Sequence, residues 1–92
     1  MSEERRILTV VNQRGLHARA SAKFVGIVAK LPSDCTVRLV KDGTEAAGGS
    51  ILGLMMLGAA RGDTIELIVE GSNSEAVMHE LAALVEDGFG EP

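Results

Sequence analysis

The residues most able to do chemistry lie in "NQRGLHARASAKFV", positions 12–25, where a strand-like run meets a helix-like one. His17 falls at that junction, with Arg14 and Arg19 on either side and Gly15 just before it. If a helix begins at or just after His17, the free N–H groups of Ala18, Arg19 and Ala20 point toward the imidazole. The helix dipole then adds partial positive charge at the same place. Such a start favours phosphate. Arg19 supplies a bidentate donor fork, Arg14 a second cation, and Gly15 a tight bend. A ring in that field prefers its neutral form, whose lone pair can attack phosphorus. The product is a dianion facing amides and a guanidinium. From spacing alone, however, the weightier reading is plainer: a histidine in a first helical turn, between solvated arginines.

The elements that must position His17 follow from periodicity. "RRILTVV" (5–11) reads as a strand. A helix follows from about Ala18 to Lys30, with Ala18, Ser21, Ala22, Val25, Val28 and Ala29 as its inner stripe and Arg19, Lys23, Gly26 and Lys30 toward water. Pro32 ends it. "CTVRLV" (35–40) is a second strand, and Asp42-Gly43 turns it into a short third one at 44–48. Ser50 opens a short apolar helix that runs to Gly58. "DTIELIVEG" (63–71) alternates, burying Ile65, Leu67 and Val69 and exposing Glu66, Ile68 and Glu70. A last helix spans Ser74–Glu86, with Val77, Leu81, Leu84 and Val85 inward. Alternating strands belong to antiparallel sheets covered on one face. The expected fold is α+β: a two-layer open-faced sandwich of order β-α-β-β-α-β-α, forming one domain over 1–92.

Composition narrows the function. Two Phe and no Trp or Tyr leave no stacking platform for single-stranded nucleic acid. A net charge of −4 argues against a general phosphate-backbone binder, so no nucleic acid partner is expected. The charge is uneven: residues 1–41 hold eight Lys/Arg and three acids, and residues 42–92 hold one and ten. That split matters if the His17 region handles an anion. One cysteine, Cys35, permits no internal disulfide and favours a reducing compartment. No signal-peptide pattern appears at "MSEERR", and no apolar run approaches the roughly 20 residues needed to cross a bilayer. A cytoplasmic monomer without membrane insertion is expected. No metal is expected either: no Cys or His spacing supports a site, and no carboxylate stands near His17 in sequence. No cofactor motif appears, and no second acid or base near His17 suggests a conventional enzyme.

Two stretches then carry a resemblance. "GLHARASAKFV" (15–25) closely resembles the active-site segment of HPr, the histidine phosphocarrier of the bacterial phosphoenolpyruvate-dependent phosphotransferase system. "GGSILGLMMLGAARGDTIEL" (48–67) resembles the second signature of that family, a serine opening a short apolar helix before the fourth strand. The inferred element order matches as well. The ending "LVEDGFGE" is similar to HPr-related carriers of the nitrogen-linked branch. The resemblance implies a four-stranded antiparallel sheet under three helices. It implies that His17 accepts phosphate through Nδ1 and that Arg19 is its electrostatic partner. Phosphorylated enzyme I would be the donor and a IIA-type protein the recipient. The family commonly has proline after the active-site arginine. Alanine stands there in this chain, at position 20, and restores an N–H that proline would lack. Altered rates or a shifted helix start are expected, with the chemistry intact.

Ser50 has two compatible readings. Its type and place make it an N-cap. By resemblance it is also the position that a dedicated HPr serine kinase/phosphorylase modifies in many members. Beside it, "SILGLMML" is too short a helix to bury all its apolar residues. Leu54 and Leu57 are assigned to the core, and Ile51, Leu52, Met55 and Met56, with Arg14, to a partner-binding surface. The alternative reading is a non-catalytic regulatory or interaction domain that docks partners through helix 50–57, with His17 incidental.

Overall fold

A computed structural model describes residues 2–91; positions 1 and 92, the limits of the expected domain, lie outside them. The elements are β1 (Ser2–Thr9), α1 (Ala18–Val28), β2 (Thr36–Lys41), β3 (Thr44–Ala47), α2 (Ile51–Met56), β4 (Thr64–Gly71) and α3 (Ser74–Glu86). A short turn at Gly88–Gly90 follows α3. The strands form one antiparallel sheet in the order β1-β4-β2-β3. The three helices pack against it in the open-faced sandwich expected from alternation and from the family resemblance. β4 is central, with Leu67 facing Arg6 on β1 and Leu39 on β2.

The core lies between sheet and helices. Leu8, Val37, Leu39, Ile65, Leu67 and Val69 enter from the sheet, and Phe24, Leu54, Val77, Leu81 and Val85 from the helices. Full burial of an aliphatic or aromatic side chain stabilises by about 1.5–3 kcal/mol.

Two expectations about faces are corrected. The inner stripe of α1 is Ala20, Ser21 and Phe24, whereas Ala18, Ala22 and Ala29 are exposed. Phe24 is fully buried and has far more apolar surface to hide than any alanine, so it sets the rotation of the helix. Ile68 is buried, although alternation assigned it to water. It lies on the uncovered face, directly opposite Arg5 on β1 and Arg38 on β2. Paired residues share a face. Arg5 is tied to Glu3, and Arg38 to Glu45 and Glu70, so their aliphatic stems lie across Ile68. A two-state pattern of apolar and polar residues does not represent a stem that is greasy and a head that is charged.

Among the described residues no helix is long and apolar enough to cross a membrane, and no cluster of three or more metal-ligating side chains forms.

Candidate phosphoryl-acceptor site

The site is built on the link between β1 and α1. Gly15 bends the chain with φ +62, and its N–H donates to the Asn12 carbonyl at 3.2 Å. Leu16 N–H then bonds the Ala59 carbonyl at 3.0 Å, which pins the link to the segment after α2. A side chain at position 15 would place Cβ only 2.2 Å from that same carbonyl oxygen. Gly15→Ala is therefore expected to destabilise by on the order of 3 kcal/mol, combining left-handed strain with displacement of the Leu16 bond. Urea unfolding of the two proteins measures it; an unchanged midpoint would show that the link is free to move.

His17 is the N-cap of α1, in extended backbone with φ −72 and ψ 179. Its carbonyl accepts from Ser21 N–H at 2.9 Å, and the Ser21 hydroxyl donates to Leu16 at 3.1 Å. Its Nδ1 accepts from Arg19 N–H at 3.3 Å. Ala18 and Ala20 bring the other N–H groups of the first turn, which have no carbonyl four residues back. The helix begins at Ala18, regular despite alanine at position 20. Arg14 and Arg19 are exposed and, with Gln13 and Glu91, line an open cleft of about 220 Å³. Neither arginine has an ion-pair partner among the described residues, so both guanidinium groups can serve an incoming anion.

A carboxylate absent from the neighbourhood of His17 in sequence is brought to it in space. The other ring nitrogen, Nε2, lies 2.5 Å from Glu91 Oε2. An Nε2–H donating to Glu91 leaves the Nδ1 lone pair for the Arg19 amide; the two contacts specify one tautomer. Glu91 is itself held. Its Oε1 accepts from Asn12 Nδ2 at 3.0 Å, and the same amide donates to Gly15 O at 2.8 Å. Lys23 Nζ donates to Phe89 O at 2.6 Å, and Phe89 is fully buried. The Asn12 amide, then the His17 contact and nearby Lys23, hold the Glu91 carboxyl below its usual range against a desolvation that raises it. A carboxyl depressed in the fold contributes stability above its ordinary value near 4.5, and loses it as pH falls through the lower folded value.

Asn12, Lys23 and Glu91 were not singled out by sequence reasoning. Long separation hid them: 79 residues part Asn12 from Glu91. The only available signal was the apolar Phe89 between two glycines, the pattern of a turn anchored by one buried ring.

Ser50 caps α2, its hydroxyl accepting from Gly53 N–H at 2.9 Å. Leu54 and Leu57 are buried, while Ile51, Leu52, Met55 and Met56 are 40–75% exposed. The division expected from the length of α2 is thus observed, and it leaves an apolar ridge.

Comparisons with known proteins bear on the family and the fold. The family model described as the PTS HPr component phosphorylation site matches residues 4–87. The phosphocarrier protein HPr of Pseudomonas aeruginosa is 38% identical over 85 residues, covering 91% of this chain and 92% of that protein. The phosphocarrier protein NPr of Shewanella violacea is 34% identical over 91 residues, covering 99% and 98%. Among solved structures, HPr from Thermoanaerobacter tengcongensis superposes with a TM-score of 0.88 at 32% identity, over 97% of this chain and 98% of that one. With a family model spanning nearly the whole chain, relatives above 30% identity end to end and the same sandwich in solved HPr structures, the chain belongs to the HPr family of phosphocarrier proteins of the phosphotransferase system.

Proposed function

We propose that this chain carries phosphoryl groups on His17 Nδ1, taking them from phosphorylated enzyme I and passing them to a IIA-type protein in the cytoplasm. One observation supports this most: Nδ1 sits at a helix start, its lone pair toward an amide, beside a cleft flanked by two unpaired arginines. When Nδ1 bonds phosphorus, its lone pair is consumed and the Arg19 N–H loses its acceptor. A phosphoryl oxygen takes that place, along with the amides of Ala18 and Ala20. The guanidinium groups of Arg19 and Arg14 offset the remaining charge. The protein is itself the reactant. The group enters from one partner and leaves to another, so the chain needs a surface that both can use. Arg14 with Ile51, Leu52, Met55 and Met56 provides an apolar and basic one.

The test is incubation with phosphoenolpyruvate and enzyme I, followed by intact mass and acid treatment. A single phosphoryl group lost in acid is expected, since phosphohistidine is acid-labile and phosphoserine is not. No mass gain, or an acid-stable one, defeats the proposal.

Ser50 provides the regulatory part of the reading. Its hydroxyl sits half-buried at the α2 start, at the edge of the ridge. A phosphate there suits the helix but adds repulsion and desolvation cost toward an acidic partner. Ser50→Asp is expected to weaken enzyme I binding about tenfold while the melting temperature hardly moves, the cost of one misplaced interfacial charge. Titration calorimetry reads it, and an unchanged affinity removes Ser50 from the docking surface.

A further inference from the structure

We infer that Glu91 is a positioning residue for the phosphoryl reaction, holding the proton on His17 Nε2 through both loading and delivery. The inference rests on the carrier reading of His17 and goes beyond it. It concerns a residue outside the family match, which ends at position 87.

The strap that brings Glu91 to the ring is built at visible cost. Gly88, Phe89 and Gly90 all have left-handed backbone, with φ 62, 58 and 72. For a phenylalanine this conformation is strained. The ring of Phe89 is fully buried and its carbonyl is held by Lys23, so the turn is anchored on both sides. Asn12 is only 4% exposed, and its amide nitrogen bridges Gly15 and Glu91. Its Oδ1 has no partner among the described residues. A buried oxygen left unpaired is unfavourable by about 1–3 kcal/mol. Strain at Phe89 and an orphan oxygen at Asn12 meet at one carboxylate, and among the described residues that carboxylate hydrogen-bonds only to the reactive ring and to Asn12. Such concentrations of local cost mark sites kept for chemistry.

The chemistry follows from which nitrogen is free. In loading, the Nδ1 lone pair attacks phosphorus of the donor's phosphohistidine, and the donor's N–P bond breaks with its electron pair returning to the donor nitrogen. The His17 ring gains positive character, shared with Nε2–H, and the Glu91 carboxylate faces it. In delivery the Nδ1–P bond breaks, its pair returns to Nδ1, and a nitrogen of the acceptor takes the phosphoryl group. If Nε2 keeps its proton, the leaving group is a neutral imidazole. If Nε2 has lost it, the leaving group is an anionic ring, which departs far more slowly. The Arg19 amide cannot serve this purpose, because Nδ1 no longer accepts from it once phosphorylated. Glu91 is then the one protein group, among the described residues, fixed to the ring. The arrangement parallels the buried carboxylate that orients a catalytic imidazole and stabilises its charge in hydrolytic triads.

The experiment compares the full chain with Glu91→Ala and Glu91→Gln. Glutamine keeps an oxygen that accepts from Nε2–H and removes the charge. Each protein is loaded with phosphoenolpyruvate and enzyme I, and transfer to a IIA-type acceptor is followed by rapid quench. Nitrogen-15 spectra of the loaded protein report the Nε2-bound proton at neutral pH. The wild type is expected to show that proton protected from exchange. Glu91→Ala should lose the signal and transfer about tenfold more slowly, as for loss of one charge-assisted hydrogen bond. Glu91→Gln should keep part of the signal and an intermediate rate. A strap with a purely structural role would lower the melting temperature without changing the ring spectrum. Transfer by Glu91→Ala within twofold of wild type, with the Nε2 proton still protected, overturns the role. A wild type that takes no phosphate on His17 removes the carrier reading and this role together. Spectra of the unloaded protein separate the two failures, because they report the Nε2–Glu91 contact without any donor.

Discussion

His17→Ala is expected to abolish acid-labile phosphorylation completely while leaving the protein folded. The side chain is 17% exposed and contributes no core packing. Its side chain makes two polar contacts: the N-cap bond, at the long distance of 3.3 Å, and the contact with Glu91, which Asn12 still holds when the ring is gone. Losing a cap costs about 1 kcal/mol, little enough for the sandwich to persist. The reaction, by contrast, has no substitute nucleophile in the adjoining cleft, which is lined by Gln13, Arg14, Arg19 and Glu91. Guanidinium and amide nitrogens have their lone pairs delocalised by resonance, and the Glu91 carboxylate, still held by Asn12, is a far weaker nucleophile than a neutral imidazole. The chain has one other histidine, His79, exposed on α3 and remote from this link in sequence. Acid-labile phosphate that persists in His17→Ala would therefore point to His79 and break the proposed mechanism. An intact circular dichroism spectrum with no phosphate taken up is the expected outcome.

How much of this could be read beforehand depended on distance along the chain. His17, Arg14, Gly15 and Arg19 lie within six positions, so their types and spacing offered an anion-binding helix start as one reading. Spacing alone favoured the plainer one, and the family resemblance tipped the balance. Ser50 as a cap and the exposed ridge followed from local rules: a small polar residue before an apolar run, and a helix too short to bury that run. The sheet followed from alternation. Ile68 did not, because its cover comes from the stems of Arg5 and Arg38 on neighbouring strands, and alternation registers only their charges. The stripe of α1 was rotated for a related reason: spacing treats Ala22 and Phe24 as comparable apolar positions, whereas burial rewards area. Glu91 was least legible. It reaches the ring from 74 residues away through a left-handed turn, and no local period encodes such a return.

That turn supports the second large prediction. Phe89 carries two opposed effects at one position. Its ring is fully buried against the core, and truncating a buried phenylalanine to alanine typically destabilises by about 3–5 kcal/mol. Its backbone is left-handed at φ 58, which disfavours any residue with a Cβ by about 1–2 kcal/mol. Alanine loses the ring and retains the strain. Glycine loses the ring and relieves the strain. Phe89→Gly should therefore be about 1 kcal/mol less destabilising than Phe89→Ala, although it removes one more carbon. Denaturant titration of both variants gives the difference, and the opposite order would mean that the turn is not left-handed in solution. Both losses should also free the strap. Lys23 would then lose a fixed carbonyl, Glu91 its approach to Nε2, and transfer should slow by the same factor as in Glu91→Ala, because the ring is deprived of the same carboxylate. A Phe89 variant that stays folded but transfers at the wild-type rate would show that the ring does not depend on the turn that leads Glu91 to it.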